Sequence, residues 1–212
     1  MSNIPKRQPV VSLLSVDKQQ TVSRGTTLVV DARGLTAGNL ALLKEKLPNM
    51  AVVLLASPPC TAYSKVHTTG TRDLVGADAL VYVVCVCHEQ LRDVCPVMEN
   101  PAAPSLLPLR EVTGFLEPAC EVNYCAHGGM FFKKTQLWSG PARFNLLAHG
   151  FQPHLCAGQG VCPIMLWDAF EKQWVHPQWV GTSLLDRQSI PPQLSRSIGG
   201  AIGAFLNSVG TL

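Results

Sequence analysis

Short apolar runs alternate with longer segments in the first half of the chain, and this alternation restricts the fold more than any other feature. The runs at 26–30 (TTLVV), 51–56 (AVVLLA) and 95–101 (CPVMENP) are too short for buried helices, and the first consists mostly of β-branched residues. Between them, residues 36–47 and 78–94 are long enough for helices. This order predicts an α/β fold with right-handed crossovers, a parallel sheet and helices on its faces.

Length and composition indicate one well-packed domain. The chain has 212 residues, of which 47% are hydrophobic and 15% are charged, so it carries enough apolar side chains for a core. The formal net charge of +3 permits a nucleic-acid partner. It does not argue for one, because a dedicated electrostatic binder has denser clusters of lysine and arginine.

The cysteines and the N-terminal residues bear on the compartment. Eight cysteines are present, but MSNIPKRQPVVSLL at the start lacks an uninterrupted apolar stretch typical of a secretory signal. No segment has enough consecutive apolar residues to cross a bilayer. We therefore predict a soluble intracellular protein with reduced, mostly buried cysteines, in the nucleus or the cytoplasm, and no membrane partner.

Four regions follow from the pattern. Residues 1–24 are polar and irregular and predict an arm or linker, residues 25–140 form the α/β core, residues 141–182 form an irregular insert rich in Cys and His, and residues 183–212 return to the core as a helix. Within the core, residues 121–140 alternate around a Gly-Gly pair and predict a hairpin. Pro191 and Pro192 open the last helix, which places Ile198, Ile202 and Phe205 on its apolar face.

The polar residues that are the strongest candidates for catalysis or ligand binding lie at the ends of the predicted strands. Ligands of parallel sheets bind at the carboxyl ends of the strands, where Asp31, Cys60 and the Glu99–Asn100 pair are expected. Two prolines restrain the backbone before Cys60, and such restraint suits a nucleophile that attacks at a defined angle. The alternative is a plain turn with a small buried thiol. A glutamate that ends a buried strand needs a partner or a ligand.

The insert offers a second kind of chemistry. His154, Cys156, Cys162 and His176 are candidate zinc ligands, and other donors are available nearby, namely Cys120, Cys125, His127 and His149. The spacing of five residues between Cys156 and Cys162 is not that of a tight zinc knuckle, and no second short Cys pair completes it. The spacing therefore favours unliganded side chains over a zinc site.

Four stretches occur in an order that resembles the cytosine-C5 DNA methyltransferases, especially the compact forms of phages, other viruses and mobile elements. They are ASPPCTAYS (56–64), VMENP (97–101), VNYCAHGGMFFKKTQLW (122–138) and DRQSIPPQLSRSIGGAI (186–202). The resemblance covers roughly residues 26–206. It implies a Rossmann-like methyltransferase fold with a central, mostly parallel sheet.

The resemblance also implies roles for individual residues. Cys60 would add as a thiolate to C6 of a cytosine, and Glu99 would hold the N3 and N4 edge of the base. The substrate would further be bound by Ser57, Pro58, Pro59, Asn100, Pro101, Lys133 and Lys134. The methyl donor would be S-adenosylmethionine, with Asp31 and Ser189 on its side of the site. DNA is the implied partner.

The chain departs from the family at the donor site. Ahead of residue 25 there is no glycine turn of the Phe-x-Gly-x-Gly kind, so the first donor-binding element is missing or is supplied by a second chain or an upstream polyprotein segment. The recognition region is reduced to the insert. One alternative is therefore a catalytically inactive methyltransferase-fold module with a structural or nucleic-acid-binding role in a larger assembly. Another is a zinc-dependent nucleic-acid binder.

Overall fold

The computed structural model describes ten stretches of the chain, namely residues 13–15, 36–46, 52–58, 60–63, 71–90, 94–102, 105–140, 144–158, 161–176 and 190–208. The strands are β1 Leu13–Ser15, β2 Val52–Ala56, β3 Val94–Pro101, β4 Glu117–Asn123, β5 Lys134–Ser139, β6 Leu166–Asp168 and β7 Gln173–Val175. The helices are α1 Ala37–Lys46, α2 Leu74–Gln90 and α3 Pro192–Ser208. Short 3₁₀ helices connect several of these elements.

Five strands form a mixed sheet in the order β1-β2-β3-β5-β4. The pairings β1–β2 and β2–β3 are parallel, whereas β5 runs antiparallel to both β3 and β4. The prediction of an α/β protein is confirmed, as are the helix at α1 and the succession β2, α2, β3. The expected mostly parallel sheet is parallel only in its first half, because the predicted hairpin adds β4 and β5 in the antiparallel sense. The predicted strand at 26–30 lies outside the described residues.

The N-terminal region differs from the prediction. Residues 1–24 were expected to be an irregular arm, but Leu13–Ser15 forms β1 and pairs with β2 in the register Leu13↔Val53 to Ser15↔Leu55. An apolar run of this length can form a strand when an existing strand offers it a free edge. Ser12 and Ser15 interrupt the apolar residues of this stretch, and this concealed the strand in the sequence.

The two faces of the sheet bury different clusters. Consecutive residues of a strand point to opposite faces, so Met98 packs with α2 while Val97 packs with the side of α3. The neighbouring strand β5 follows the same rule, because Trp138 joins the first cluster and Leu137 joins the second. Residues at even and odd positions at the end of β3 therefore face different surroundings.

Helix α3 begins as the sequence predicts, with Pro192 at its first position. Its apolar face is buried against the second cluster, as expected for Ile198, Ile202 and Phe205. Among the helices in the described part of the chain, none combines the length and the apolar character needed to cross a membrane.

Candidate functional site

The turn after β2 brings Cys60 to the carboxyl end of the parallel strands. Strand β2 ends at Ala56, and a short 3₁₀ helix begins at Cys60. The adjacent strand β3 continues past this level, and the side chain of Asn100 donates a hydrogen bond from Nδ2 to the carbonyl oxygen of Pro58 at 2.9 Å. This bond ties the Pro-Pro-Cys turn to the end of β3. Ser57 is exposed, while Pro58 and Pro101 are half-buried beside the turn and the strand end.

Glu99 is buried, and its carboxylate is held by two side chains from the β4–β5 connection. Its Oε1 accepts a hydrogen bond from Tyr124 Oη at 2.8 Å and another from Lys133 Nζ at 2.9 Å. Lys133 Nζ also lies 3.3 Å from Tyr124 Oη and 4.5 Å from the centroid of the tyrosine ring. Burial and the neighbouring Glu99 carboxylate raise the pKa of Tyr124, so its hydroxyl stays protonated and acts as a donor.

Lys133 belongs to the same site as Cys60. Burial raises the pKa of the half-buried Cys60 thiol, the positive charge of Lys133 lowers it, and the negative charge of Glu99 raises it. A charge affects a thiol in this way only when it lies close by. Cys60, Glu99 and Lys133 therefore lie near one another at the ends of β2 and β3.

Alkylation of Cys60 is expected to reach its half-maximal rate at a pH above that of a free cysteine, because only the thiolate reacts and burial disfavours it. Iodoacetamide rates measured by mass spectrometry on the Cys60 peptide across a pH series would test this. The Cys120 peptide is an internal reference, since burial raises the pKa of Cys120 to about 11. A Cys60 midpoint below that of a cysteine-containing peptide would contradict the prediction.

The turn that carries Tyr124 depends on two glycines. Gly128 has φ of 78°, which favours glycine, and Gly129 donates its N–H to the carbonyl of Tyr124 at 2.8 Å. A Cβ on Gly129 would lie 2.8 Å from that same carbonyl oxygen. The Gly-Gly pair therefore lets the chain fold back tightly enough to position Tyr124 against Glu99.

The other predicted substrate and donor residues fall in different places. Lys134 points away from Glu99 and forms an ion pair with Glu121 on the neighbouring strand at 3.0 Å, where both side chains are substantially exposed. Asp31, Pro59 and Ser189 lie outside the described residues. Asn100 Oδ1 is buried and has no hydrogen-bond partner among the described residues.

A second group of side chains meets on the far side of the Tyr124 turn. The ligand atoms of Cys125, Cys156, Cys162 and His176 all lie within 4.8 Å of one another, a group that could hold a metal ion. Cys156, Cys162 and His176 were among the four zinc candidates named from the sequence. The remaining candidate, His154, is not in the group, and Cys125 takes its place. The ring of His154 instead packs edge-on against His127, with centroids 5.2 Å apart.

Comparison with known proteins adds no family assignment. A scan against protein-family models finds no match for this chain, and a search of the curated proteins finds no significant match. The function is therefore inferred from the arrangement of the side chains in the structure.

Sequence reasoning missed Tyr124 and ranked Cys125 behind His154. Tyr124 lies 25 positions from Glu99 in the chain, and no local pattern links them. The sequence held one signal for Tyr124, namely its position shortly before the Gly-Gly pair of the predicted hairpin. A sharp turn at the end of a hairpin brings the side chains that flank the turn toward the sheet.

Proposed function

We propose that the chain is a cytosine-C5 DNA methyltransferase-type domain with a Rossmann-like core, in which Cys60 is the nucleophile and Glu99 binds the pyrimidine edge. One observation carries the proposal. The two motifs follow neighbouring parallel strands, and the charges of Glu99 and Lys133 lie close enough to act on the Cys60 thiol. Parallel sheets bind their ligands at this end of the strands.

The side chains of Cys60, Glu99 and Lys133 suit nucleophilic addition to a pyrimidine. The Sγ atom of Cys60 bonds to C6 of a cytosine that is turned out of the duplex, and the thiol proton passes to solvent water as this bond forms. The electron pair of the C5–C6 double bond then moves toward C5 and N3, so negative charge builds on the ring. Lys133, which is held beside Glu99 at 2.9 Å, offsets that charge.

Hydrogen bonds orient the base. Glu99 accepts a hydrogen bond from the exocyclic amino group of the base, and Asn100 holds the Pro-Pro-Cys turn in place through its hydrogen bond to Pro58. Tyr124 and Lys133 fix the carboxylate in place, so little reorganisation is needed when the base binds. Once a methyl group has bonded to C5, the C5 proton would pass to solvent water, and its electron pair would re-form the C5–C6 double bond as the Cys60 sulfur leaves as a thiolate.

S-adenosylmethionine supplies the methyl group when it is bound. Asp31 and Ser189, which the sequence assigns to the donor, lie outside the described residues, so no donor seat is defined among the residues that the structure describes. The described residues carry the pyrimidine side of the reaction.

A covalent-trapping experiment tests the proposal. The full chain is mixed with duplex DNA containing 5-fluorocytosine and with S-adenosylmethionine, and the products are analysed by intact mass spectrometry. Fluorine at C5 prevents the final elimination, so we expect a protein–DNA adduct that maps to Cys60 and carries the methyl group. Cys60→Ala should give no adduct, while Cys120→Ala, which changes a half-buried thiol on β4, should form it at the wild-type level.

Absence of an adduct at every donor concentration would refute the activity of this chain alone. Calorimetric titration with S-adenosylmethionine then separates the alternative of an inactive module, since such a module should show neither heat nor a thermal shift. The raised pKa of Cys60, which keeps the thiol protonated in the free protein, is the observation that favours this alternative.

A further inference from the structure

We propose that Cys125, Cys156, Cys162 and His176 form a structural zinc site that fastens the insert to the Tyr124 turn. The distances between the four ligand atoms fit a single bound metal ion. His176 Nε2 lies 3.2 Å from Cys156 Sγ and 3.4 Å from Cys162 Sγ, and all four ligand atoms lie within 4.8 Å of one another. In a tetrahedral zinc site with ordinary bond lengths, sulfur and nitrogen ligands are about 3.5 Å apart and sulfur atoms about 3.8 Å apart.

The kind of donor selects the metal. Three thiols and one imidazole are soft and borderline ligands, which favour zinc over magnesium, calcium or manganese. All four tetrahedral positions are filled by protein side chains, a closed arrangement typical of structural zinc and unlike catalytic zinc, which keeps a position for water. Each thiol loses its proton on binding the metal.

The insert has a physical need for such a link. Among the described residues of 152–176 none is buried, so this segment has no hydrophobic core of its own. Several of its large apolar side chains are exposed, including Trp167 and Phe170. Small units that bury little apolar surface generally require a metal or disulfides to hold one conformation. Four ligands from separate segments provide that constraint.

The surroundings of the ligands agree with this role. Cys125 is buried in the 3₁₀ helix Tyr124–His127, and the other three ligands are half-buried in the insert. The backbone N–H of Cys156 donates to Asn123 Oδ1 at 2.7 Å, and the N–H of Gly158 lies 3.4 Å from Cys156 Sγ. These contacts orient the Cys156 sulfur as outer hydrogen bonds orient known metal ligands.

A metal ion at these four ligands would also affect the site around Glu99. Cys125 follows Tyr124 directly in the same 3₁₀ helix, and Tyr124 donates its hydroxyl hydrogen bond to Glu99. A metal bound at Cys125 therefore anchors the turn that positions Glu99. The zinc proposal depends only on the four donors and would stand even if Cys60 formed no adduct.

Metal analysis of the purified full chain, produced without a metal-affinity tag and in zinc-containing medium, tests the proposal. We expect about one zinc per chain. Cys162→Ser and His176→Gln should each lower the zinc content at least about tenfold, because three ligands bind zinc far more weakly than four. The matched control is Cys120→Ser, which changes a thiol outside the group and should keep the full zinc content.

Two further measurements keep the test decisive if a ligand variant misfolds. His176→Cys supplies a fourth thiolate and should retain about one zinc per chain. Exchange of the wild-type metal for Co²⁺ should give intense visible bands of a tetrahedral thiolate complex, and Cys120→Ser should give the same bands. A wild-type chain that stays free of zinc after incubation with Zn²⁺, or a Cys162→Ser variant with wild-type zinc content, would overturn the proposal.

Discussion

Lys133→Met is expected to lower the free energy of unfolding by about 3–5 kcal/mol, because it leaves the buried Glu99 carboxylate without its cation. The side chains of Lys133 and Glu99 are only 11% and 5% exposed, so water cannot replace the lost partner. Tyr124 Oη would remain as a donor to the carboxylate, but one neutral donor does not compensate a buried charge. Equilibrium unfolding in urea measures the effect.

The adjacent lysine is a matched control for this prediction. Lys134→Met removes the partner of Glu121 from an ion pair whose side chains are 43% and 36% exposed. Water and salt screen such a pair, so the expected loss is below about 1 kcal/mol. Equal losses in the two variants would contradict the assignment of Lys133 to a buried pair.

The contrast between these lysines shows why the site could be predicted only in part. Lys133 and Lys134 are identical neighbours in the sequence, which gave both of them a role in substrate binding. Lys133 immediately precedes β5 and reaches Glu99, whereas Lys134, the first residue of β5, pairs with Glu121. Sequence predicted the basic pair but not its division between interior and surface, because β5 has no sharp apolar alternation at that end.

The strands and helices of the centre were predictable for a simple reason. The runs at β2 and β3 are continuous, apolar and short, and the segment at α2 is too long for a strand, so length alone decides each assignment. Strand β1 was not predictable, because three residues in a stretch interrupted by Ser12 and Ser15 carry little signal. Its pairing depends on the edge of β2, which is a tertiary effect.

The metal group shows a limit of spacing arguments. Cys125 lies more than thirty residues before Cys156, in a different element, so no spacing rule connects them. His154 lies two residues from Cys156, and proximity made it the stronger candidate. In the fold its backbone carbonyl accepts a hydrogen bond from the N–H of Asn123, and its ring packs on His127. The contact between the Tyr124 turn and the insert determines which side chains come close enough to bind one metal ion.

Glu99→Gln is expected to slow the proposed methyl transfer by about 10²–10⁴-fold, because the amide can neither supply a proton to N3 of the base nor accept the hydrogen bond of its amino group as strongly as the carboxyl group does. The substitution alone is ambiguous, since it also leaves Lys133 without a counter-charge in a largely buried position. Single-turnover methylation and urea unfolding, measured on the same preparations, report the two effects separately.

The double variant Glu99→Gln/Lys133→Met separates chemistry from stability. It removes both charges together, and replacing a complete buried ion pair with uncharged side chains is often nearly neutral for stability. We therefore expect unfolding within about 1–2 kcal/mol of the wild type, whereas methyl transfer should stay as slow as in Glu99→Gln. A double variant that regained both stability and wild-type turnover would show that the carboxylate serves only to neutralise Lys133. A stable but inactive one places the Glu99–Lys133 pair in the reaction, because no structural defect is left to explain the loss.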